Sequence, residues 1–300
     1  MGARATAARL TAQRLAGPPA TSADDVVTRL LAVQAQDPRG FRLAVRSRST
    51  GLTAADVDAA LTDRRSVVVS WLQRGTLHLV RGDDYWWLHP LTTPQLRTGN
   101  QRRLRQEGVD EAQAARGVQV VLDAVASGPL TRDELRARLD DAGVPTARQA
   151  LVHVLLAASL DGDLVRGPVV DGQQAFVSAA QWLGAPPPAV ARSEALERLA
   201  VRYLEGHGPA SATDLAKWAG ITLSAAREGL AGGGDVVEPV DDGPDLVDLR
   251  GRDEPAPLPP PRLLGPFDPV LHGWADRTPL VGAHQGVVTT NGLFRACALV

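Results

Sequence analysis

Gln34 and Gln36 are the residues of this 300-residue chain whose type and spacing invite a chemical reading. They close the run Leu30-Leu31-Ala32-Val33-Gln34-Ala35-Gln36-Asp37-Pro38. A carboxamide does not titrate, so neither side chain can act as a general acid or a strong base. A pair of them can hold a water through a carbonyl oxygen while an NH2 group donates to another oxygen, which is positioning and electrostatic help. On a continuous α-helix positions i and i+2 lie about 200° apart, so both face one ligand only if the helix stops first. Pro38 disfavours a helical Asp37, and in an extended stretch alternate side chains point the same way. The sequence thus predicts a helix that delivers the pair and unwinds near Asp37. The alternative is two solvated residues at a frayed helix end, and spacing alone leaves both open. Asp37 could supply a base, although a helix-end turn is its preferred role.

The elements that must position this pair follow from the local pattern. Thr21-Ser22-Ala23-Asp24-Asp25 caps a helix whose Val26, Val27, Leu30 and Leu31 suit a core. After Pro38, residues 41–48 place Arg42, Arg46 and Arg48 among apolar positions, and a short helix with phosphate contacts is expected there. Thr53-Ala54-Ala55-Asp56 opens a further helix. Two β-rich runs, residues 67–72 and 76–80, surround Gln73-Arg74-Gly75 as a hairpin. That hairpin either projects Arg74 toward a duplex or is a surface turn over a buried Trp71. Trp86 and Trp87 are adjacent, which suits base stacking, but packing is the preferred role. Arg97, Arg102, Arg103 and Arg105 form a basic segment with no acid between them.

Two further units share a pattern, Gly-Pro-x-Ser/Thr-x-x-acid-Leu, at Gly128-Pro129-Leu130-Thr131-Arg132-Asp133-Glu134-Leu135 and Gly208-Pro209-Ala210-Ser211-Ala212-Thr213-Asp214-Leu215. Each predicts a capped helix, a second helix and then a β wing, near Leu164-Val165-Arg166 and Val236-Val237-Glu238. Thr53 begins a weaker third copy. Helices closed by a hairpin make a winged helix, so three are expected, with linkers at Pro186-Pro187-Pro188 and residues 255–261. From Arg262 the chain turns to β character, at residues 263–268, 280–282, 287–290 and 297–300.

Net charge is −2, but it is unevenly distributed: residues 1–105 hold 16 Arg against 8 Asp/Glu, and residues 106–300 hold 16 Arg/Lys against 26 Asp/Glu. A basic front section is the footprint of a phosphate-binding surface. Two unrelated domains of opposite charge would produce the same asymmetry. Cys297 is the sole cysteine, so no intrachain disulfide is available. The six histidines (78, 89, 153, 207, 272 and 284) lack metal-ligand spacing, so no metal is expected. No apolar leader or membrane-length run is present, and a cytoplasmic location is expected.

The Gln34-Ala35-Gln36 stretch, the run Ser70-Trp71-Leu72-Gln73-Arg74-Gly75-Thr76-Leu77-His78-Leu79-Val80 and Gly265-Pro266-Phe267-Asp268-Pro269 together resemble the AlkZ-like family of bacterial DNA glycosylases. The resemblance implies an α+β fold of three tandem winged-helix domains followed by a partial C-terminal β-barrel. The boundaries expected are 1–108, 109–185, 190–252 and 262–300, the first domain carrying the glutamines. Family barrels continue further, so this one is expected to be small or truncated. The resemblance makes Gln34 and Gln36 catalytic. Arg42, Arg46, Arg74, Thr76, His78, Arg97, Arg102 and Arg103 become the DNA contacts. It implies a monofunctional enzyme without cofactor, acting as a monomer on double-stranded DNA containing alkylated guanine. N7 alkylation leaves the base positively charged and a good leaving group without protonation, a reaction two carboxamides can assist. Asp268, His272, Asp276 and Arg277 match a family signature and are expected to hold the barrel to its neighbours. The alternative is a non-catalytic winged-helix transcription regulator, which needs neither glutamine.

Overall fold

A computed structural model describes residues 2–258 and 260–300, so Pro259 of the proline-rich linker lies outside the described residues. Helices α1 (Ala3–Ala12), α2 (Ala23–Leu30) and α3 (Pro38–Ser47) come first, with the two-residue strand β1 (Val33–Gln34) between the last two. Helix α4 (Ala54–Thr62) leads into β2 (Val67–Trp71), a 3-10 turn at Gln73–Gly75 and β3 (Leu77–Arg81). A helical run follows: α5 (Gly82–Thr92), α6 (Leu96–Gln106), α7 (Glu111–Val125), α8 (Arg132–Asp141) and α9 (Ala150–Leu160). It ends in the hairpin β4 (Leu164–Val170) and β5 (Gln173–Ser178) and the short α10 (Ala179–Leu183). Then come α11 (Arg192–His207), α12 (Ala212–Ala219), α13 (Leu223–Gly232), β6 (Val237–Pro239), β7 (Val247–Leu249), β8 (Arg262–Leu264), α14 (Thr278–Val281) and β9 (Cys297–Leu299). The fold mixes α-helices with antiparallel sheets.

The Gly-Pro repeats start helices through reciprocal caps. Thr131 Oγ1 accepts from Glu134 N at 3.3 Å while Glu134 Oε2 accepts from Thr131 N at 2.7 Å. Ser211 and Asp214 repeat the arrangement at 3.2 and 2.9 Å. Each box satisfies two backbone donors that the helix leaves open, and a cap of this kind contributes about 1 kcal/mol. Thr53 makes half of it: Asp56 Oδ2 accepts from Thr53 N and Thr53 Oγ1, both at 2.7 Å.

Packing divides the chain into two compact units that interleave along the sequence. The first comprises Met1–Val57, His78–Arg81 and Val190–Val300, the second Asp58–Leu77 and Gly82–Ala189. In the first unit α11 is the central helix, packed against α1, α2 and α13. Its buried Leu199, Tyr203 and Leu204 meet a core that includes Leu10, Val27, Leu30 and Trp218. Gly206 permits the approach of α2, because a Cβ there would lie 2.3 Å from the Arg29 carbonyl oxygen. β1 pairs antiparallel with β3, and β6 with β7. In the second unit β2, β4 and β5 form an antiparallel sheet in which Val69 opposes Arg166 and Arg166 opposes Phe176. The apolar α9 packs against α6 and α7, burying Leu151, Val154 and Leu155.

Residues 262–300 differ from the expected partial barrel. Among the described residues they form one two-stranded antiparallel sheet, β8 with β9, in which Leu263 opposes Ala298. Leu280 and Val281, read as β from composition, lie in α14, where Pro279 occupies the first turn. A proline there supplies a preset backbone angle and needs no donor, so the segment starts a helical turn instead of a strand. Gln285–Val287 likewise form a 3-10 turn, leaving Val288 and Phe294 as an isolated bridge.

Candidate active site

Ser22 caps α2 by accepting from Asp25 N at 3.0 Å, and Val26, Val27 and Leu30 face the core. The helix stops earlier than Pro38 dictates: Leu31 adopts φ 62° and ψ −46°, a left-handed conformation costly for a leucine. The glutamines are therefore delivered by a strand and not by the helix itself. Val33 and Gln34 pair with Leu79 and His78 of β3. Pro38 stands in the first turn of α3, opening that helix instead of closing α2. Asp37 is its N-cap, Oδ1 accepting from Arg39 N at 2.8 Å and Gly40 N at 2.7 Å. The cap occupies that carboxylate oxygen, in keeping with a turn and not a base.

The extended backbone brings the two carboxamides together, and Gln34 Nε2 donates to Gln36 Oε1. Gln34 is 4% exposed, while Gln36 is exposed. Among the described residues Gln34 Oε1 and Gln36 Nε2 meet no partner, so the pair presents one free acceptor and one free donor. His78, 1% exposed, is the direct antiparallel opposite of Gln34 and so lies on the same face of that strand pair. It is a buried neighbour of the pair.

The other candidate contacts fall into distinct settings. Arg74 sits in the 3-10 turn at φ 58°, and burial pulls its guanidinium down to about 10. It is half-buried, and Thr76 beside it donates from Oγ1 to Gln73 O at 3.2 Å. Arg42 lies 4.6 Å over the Phe41 ring, whereas Arg46 is exposed and reaches Leu52 O at 2.7 Å. On α6 Arg97 pairs with Asp161 and donates to Leu160 O at 2.7 Å. Arg102 and Arg103 are exposed, the latter reaching Gln106 Oε1 at 3.2 Å. The tryptophans serve packing: Trp87 is buried with its indole on Asp84 Oδ1 at 3.0 Å, and Trp71 stacks on Phe176.

Arg48 and Gln73 depart from what the sequence led one to expect. Arg48 is buried in a bidentate pair with Asp268, at 2.9 and 2.7 Å. It is therefore not the phosphate contact expected of the 41–48 helix, whereas Asp268 does tie its segment to a neighbour as expected. Gln73, read only as part of the hairpin turn, is fully buried, and among the described residues neither of its carboxamide atoms has a hydrogen-bond partner. A cavity of about 460 Å³ in the second unit is lined by Arg97, Asn100, Leu104, Arg105, Val118 and Asp161 among others, and holds neither glutamine. Among the described residues no group of three or more His, Cys, Asp or Glu could hold a metal ion, and no helix is long and apolar enough to cross a membrane.

The model of the family "DNA glycosylase AlkZ-like" matches residues 27–300. A Streptomyces sahachiroi protein described as an interstrand DNA cross-link repair glycosylase is 29% identical over 295 residues, covering 89% of this chain and 76% of its own. The solved structure of Streptomyces sahachiroi DNA glycosylase AlkZ superposes with a TM-score of 0.81 at 26% identity, over 99% of this chain and 84% of that one. These likenesses lend no support to a transcription regulator. The matched span and the shared fold agree: the chain belongs to the AlkZ-like DNA glycosylase family.

Proposed function

We propose that this chain is a monofunctional DNA glycosylase that hydrolyses the N-glycosidic bond of N7-alkylated purines in duplex DNA, bulky adducts and interstrand crosslinks included. The observation that carries the proposal is the bonded carboxamide pair with a free acceptor on Gln34 and a free donor on Gln36. Alkylation at N7 leaves the base cationic, so departure needs no general acid. What remains is to hold a water beneath C1′ and favour the developing oxocarbenium ion. Gln34 Oε1 accepts from that water, and Gln36 Nε2 donates to a phosphate or deoxyribose oxygen. Their mutual hydrogen bond fixes the separation of the two ends, which is the positioning such a step requires. Crosslink repair enters through the description of the Streptomyces relative.

A glycosylase that also cuts the strand uses an amine nucleophile. Lys217, the sole lysine, donates to Ala275 O at 2.8 Å on α12, remote in sequence from the pair. That supports simple hydrolysis. The helix and hairpin groupings act as three winged-helix modules in this proposal, with exposed arginines of α3 and α6 meeting phosphates.

Incubation with duplex containing N7-methylguanine tests the proposal through the appearance of abasic sites without strand cleavage. Gln34→Leu and Gln36→Leu should each slow single-turnover release on the order of a hundredfold, about 3 kcal/mol in the barrier, with DNA affinity nearly unchanged. Gln36→Asp should keep part of the activity, since it gives up the donor to the DNA oxygen but adds a base and a negative charge beneath the developing oxocarbenium ion. Release at the parent rate by both leucine variants would overturn the catalytic role.

A further inference from the structure

Helix α3 begins at the residue after Asp37, so wherever α3 sits, the Gln36 backbone must follow. Three contacts spread along α3 come from residues 265–268, in addition to its packing on α2, β1 and β8, where Arg262 Nη1 donates to Ser47 O at 2.8 Å. At its first turn Gly40 faces the Pro266 carbonyl so closely that a Cβ would lie 2.4 Å from that oxygen. At its middle, a Cβ on Gly265 would lie 2.8 Å from Leu43 Cβ. At its end Arg48 donates from Nη1 and Nη2 to the Asp268 carboxylate, both side chains being fully buried. Gln13 Oε1 accepts from Arg48 Nη2 at 2.7 Å, and Asp268 Oδ1 also accepts from Val270 N at 3.0 Å. Two glycines remove side chains where the backbones meet, and a paired buried charge fixes the far end. Such a seam tolerates little sliding or rotation, because close-packed elements transmit displacement instead of absorbing it.

We propose that the Gly265-Pro266-Phe267-Asp268 segment is a positioning element for the Gln34–Gln36 pair, acting through α3, with the Arg48–Asp268 pair as its anchor and the Gly40–Pro266 contact as its most sensitive point. This rests on the catalytic role assigned above to the glutamines. A displacement of about 1 Å in a positioned group can cost as much as a hundredfold in rate. A small shift of α3 is therefore felt at the pair long before the fold is lost.

The test uses the full chain carrying Gly40→Ala or Asp268→Asn, with Gly286→Ala, where a Cβ would meet open space, as control. Single-turnover release of N7-methylguanine is read as a rate constant and an amplitude, alongside DNA affinity and hydrogen exchange of residues 33–37. Gly40→Ala and Asp268→Asn should lower the rate constant about tenfold or more with affinity within about twofold. Exchange should rise at 33–37 ahead of α11, while Gly286→Ala changes neither. A purely structural role would lower the amplitude, through a smaller folded fraction, and leave the rate constant alone; that result overturns the inference. So does unchanged local exchange in both variants. If the parent and all variants release no base while exchange at 33–37 still rises locally, the catalytic assignment fails and the positioning role of the segment stands.

Discussion

Arg48 at the end of α3 and Arg9 on α1 are buried against carboxylates, Asp268 and Asp214, whereas Arg102, Arg103 and Arg105 on α6 are exposed. All five belong to the basic first 105 residues and were equal in a count of charge. The buried pair members have paid for removal from water through hydrogen bonds, and they bind the chain to itself. The exposed ones keep their hydration and long-range field and are available to phosphates. A basic stretch therefore holds two populations, one that responds to packing and one that responds to salt. The buried region should be the costlier to disturb.

The largest effect expected is from separating Arg48 and Asp268. Arg48→Met leaves the Asp268 carboxylate in the interior without its cation, which typically costs about 3–5 kcal/mol. Replacing both partners, Arg48→Met with Asp268→Leu, removes the stranded charge and should recover most of that loss. Urea unfolding of the two variants checks it. A double variant no more stable than the single one would mean that the bonds to Gln13 and Val270, and not the charge pair, dominate the site.

Next in size is an acid limb of the stability curve. His207 on α11 is buried, stacks on Tyr203 at a ring separation of 4.7 Å and faces Trp218 and Trp274. Burial, reinforced by His272, Arg48 and Arg9 and opposed by the bond to Tyr203 O, pulls its imidazole down to about 3. The folded protein therefore keeps the ring neutral where the unfolded chain, titrating near 6.5, takes a proton. Stability is unaffected above that value and is lost as pH falls from about 6.5 toward about 3, at up to about 1.4 kcal/mol per unit. His207→Phe should flatten that limb in urea midpoints measured at pH 7 and pH 5. An unchanged slope would assign the acid sensitivity to other groups.

The same division explains which features sequence reading could reach. The boxes at Thr131 and Ser211 were legible because donor and acceptor are three residues apart and need no tertiary partner. The meeting of Gln34 and Gln36 followed from alternation, but its cause did not: the helix ends on a left-handed Leu31, at a position with neither glycine nor proline to announce it. The early stop is set by the pairing of β1 with β3, a contact across more than 40 residues. Arg48 was beyond reach because Asp268 lies 220 positions away, and a buried arginine and a phosphate-binding one look alike in a list of residues. The C-terminal β composition misled in the opposite way, since Pro279 turned an apolar run into a helical one.

The smallest effect on stability belongs to α6, and there the comparison is sharpest in salt. Arg102 is exposed, so Arg102→Ala should move the unfolding free energy by no more than about 0.5 kcal/mol. Each phosphate contact contributes about one to the dependence of log affinity on log salt, so the same change should reduce the magnitude of that slope by up to about one. Arg97 offers the internal control. It already pairs with Asp161 and Leu160 O, so DNA must compete for it. Arg97→Ala removes a cation whose charge is partly neutralised and should change the slope less than Arg102→Ala. Binding of an undamaged duplex titrated with salt, for the parent and both variants, decides the matter. Equal slopes in all three would place the phosphate contacts elsewhere and leave the exposed arginines of α6 as a solvated face.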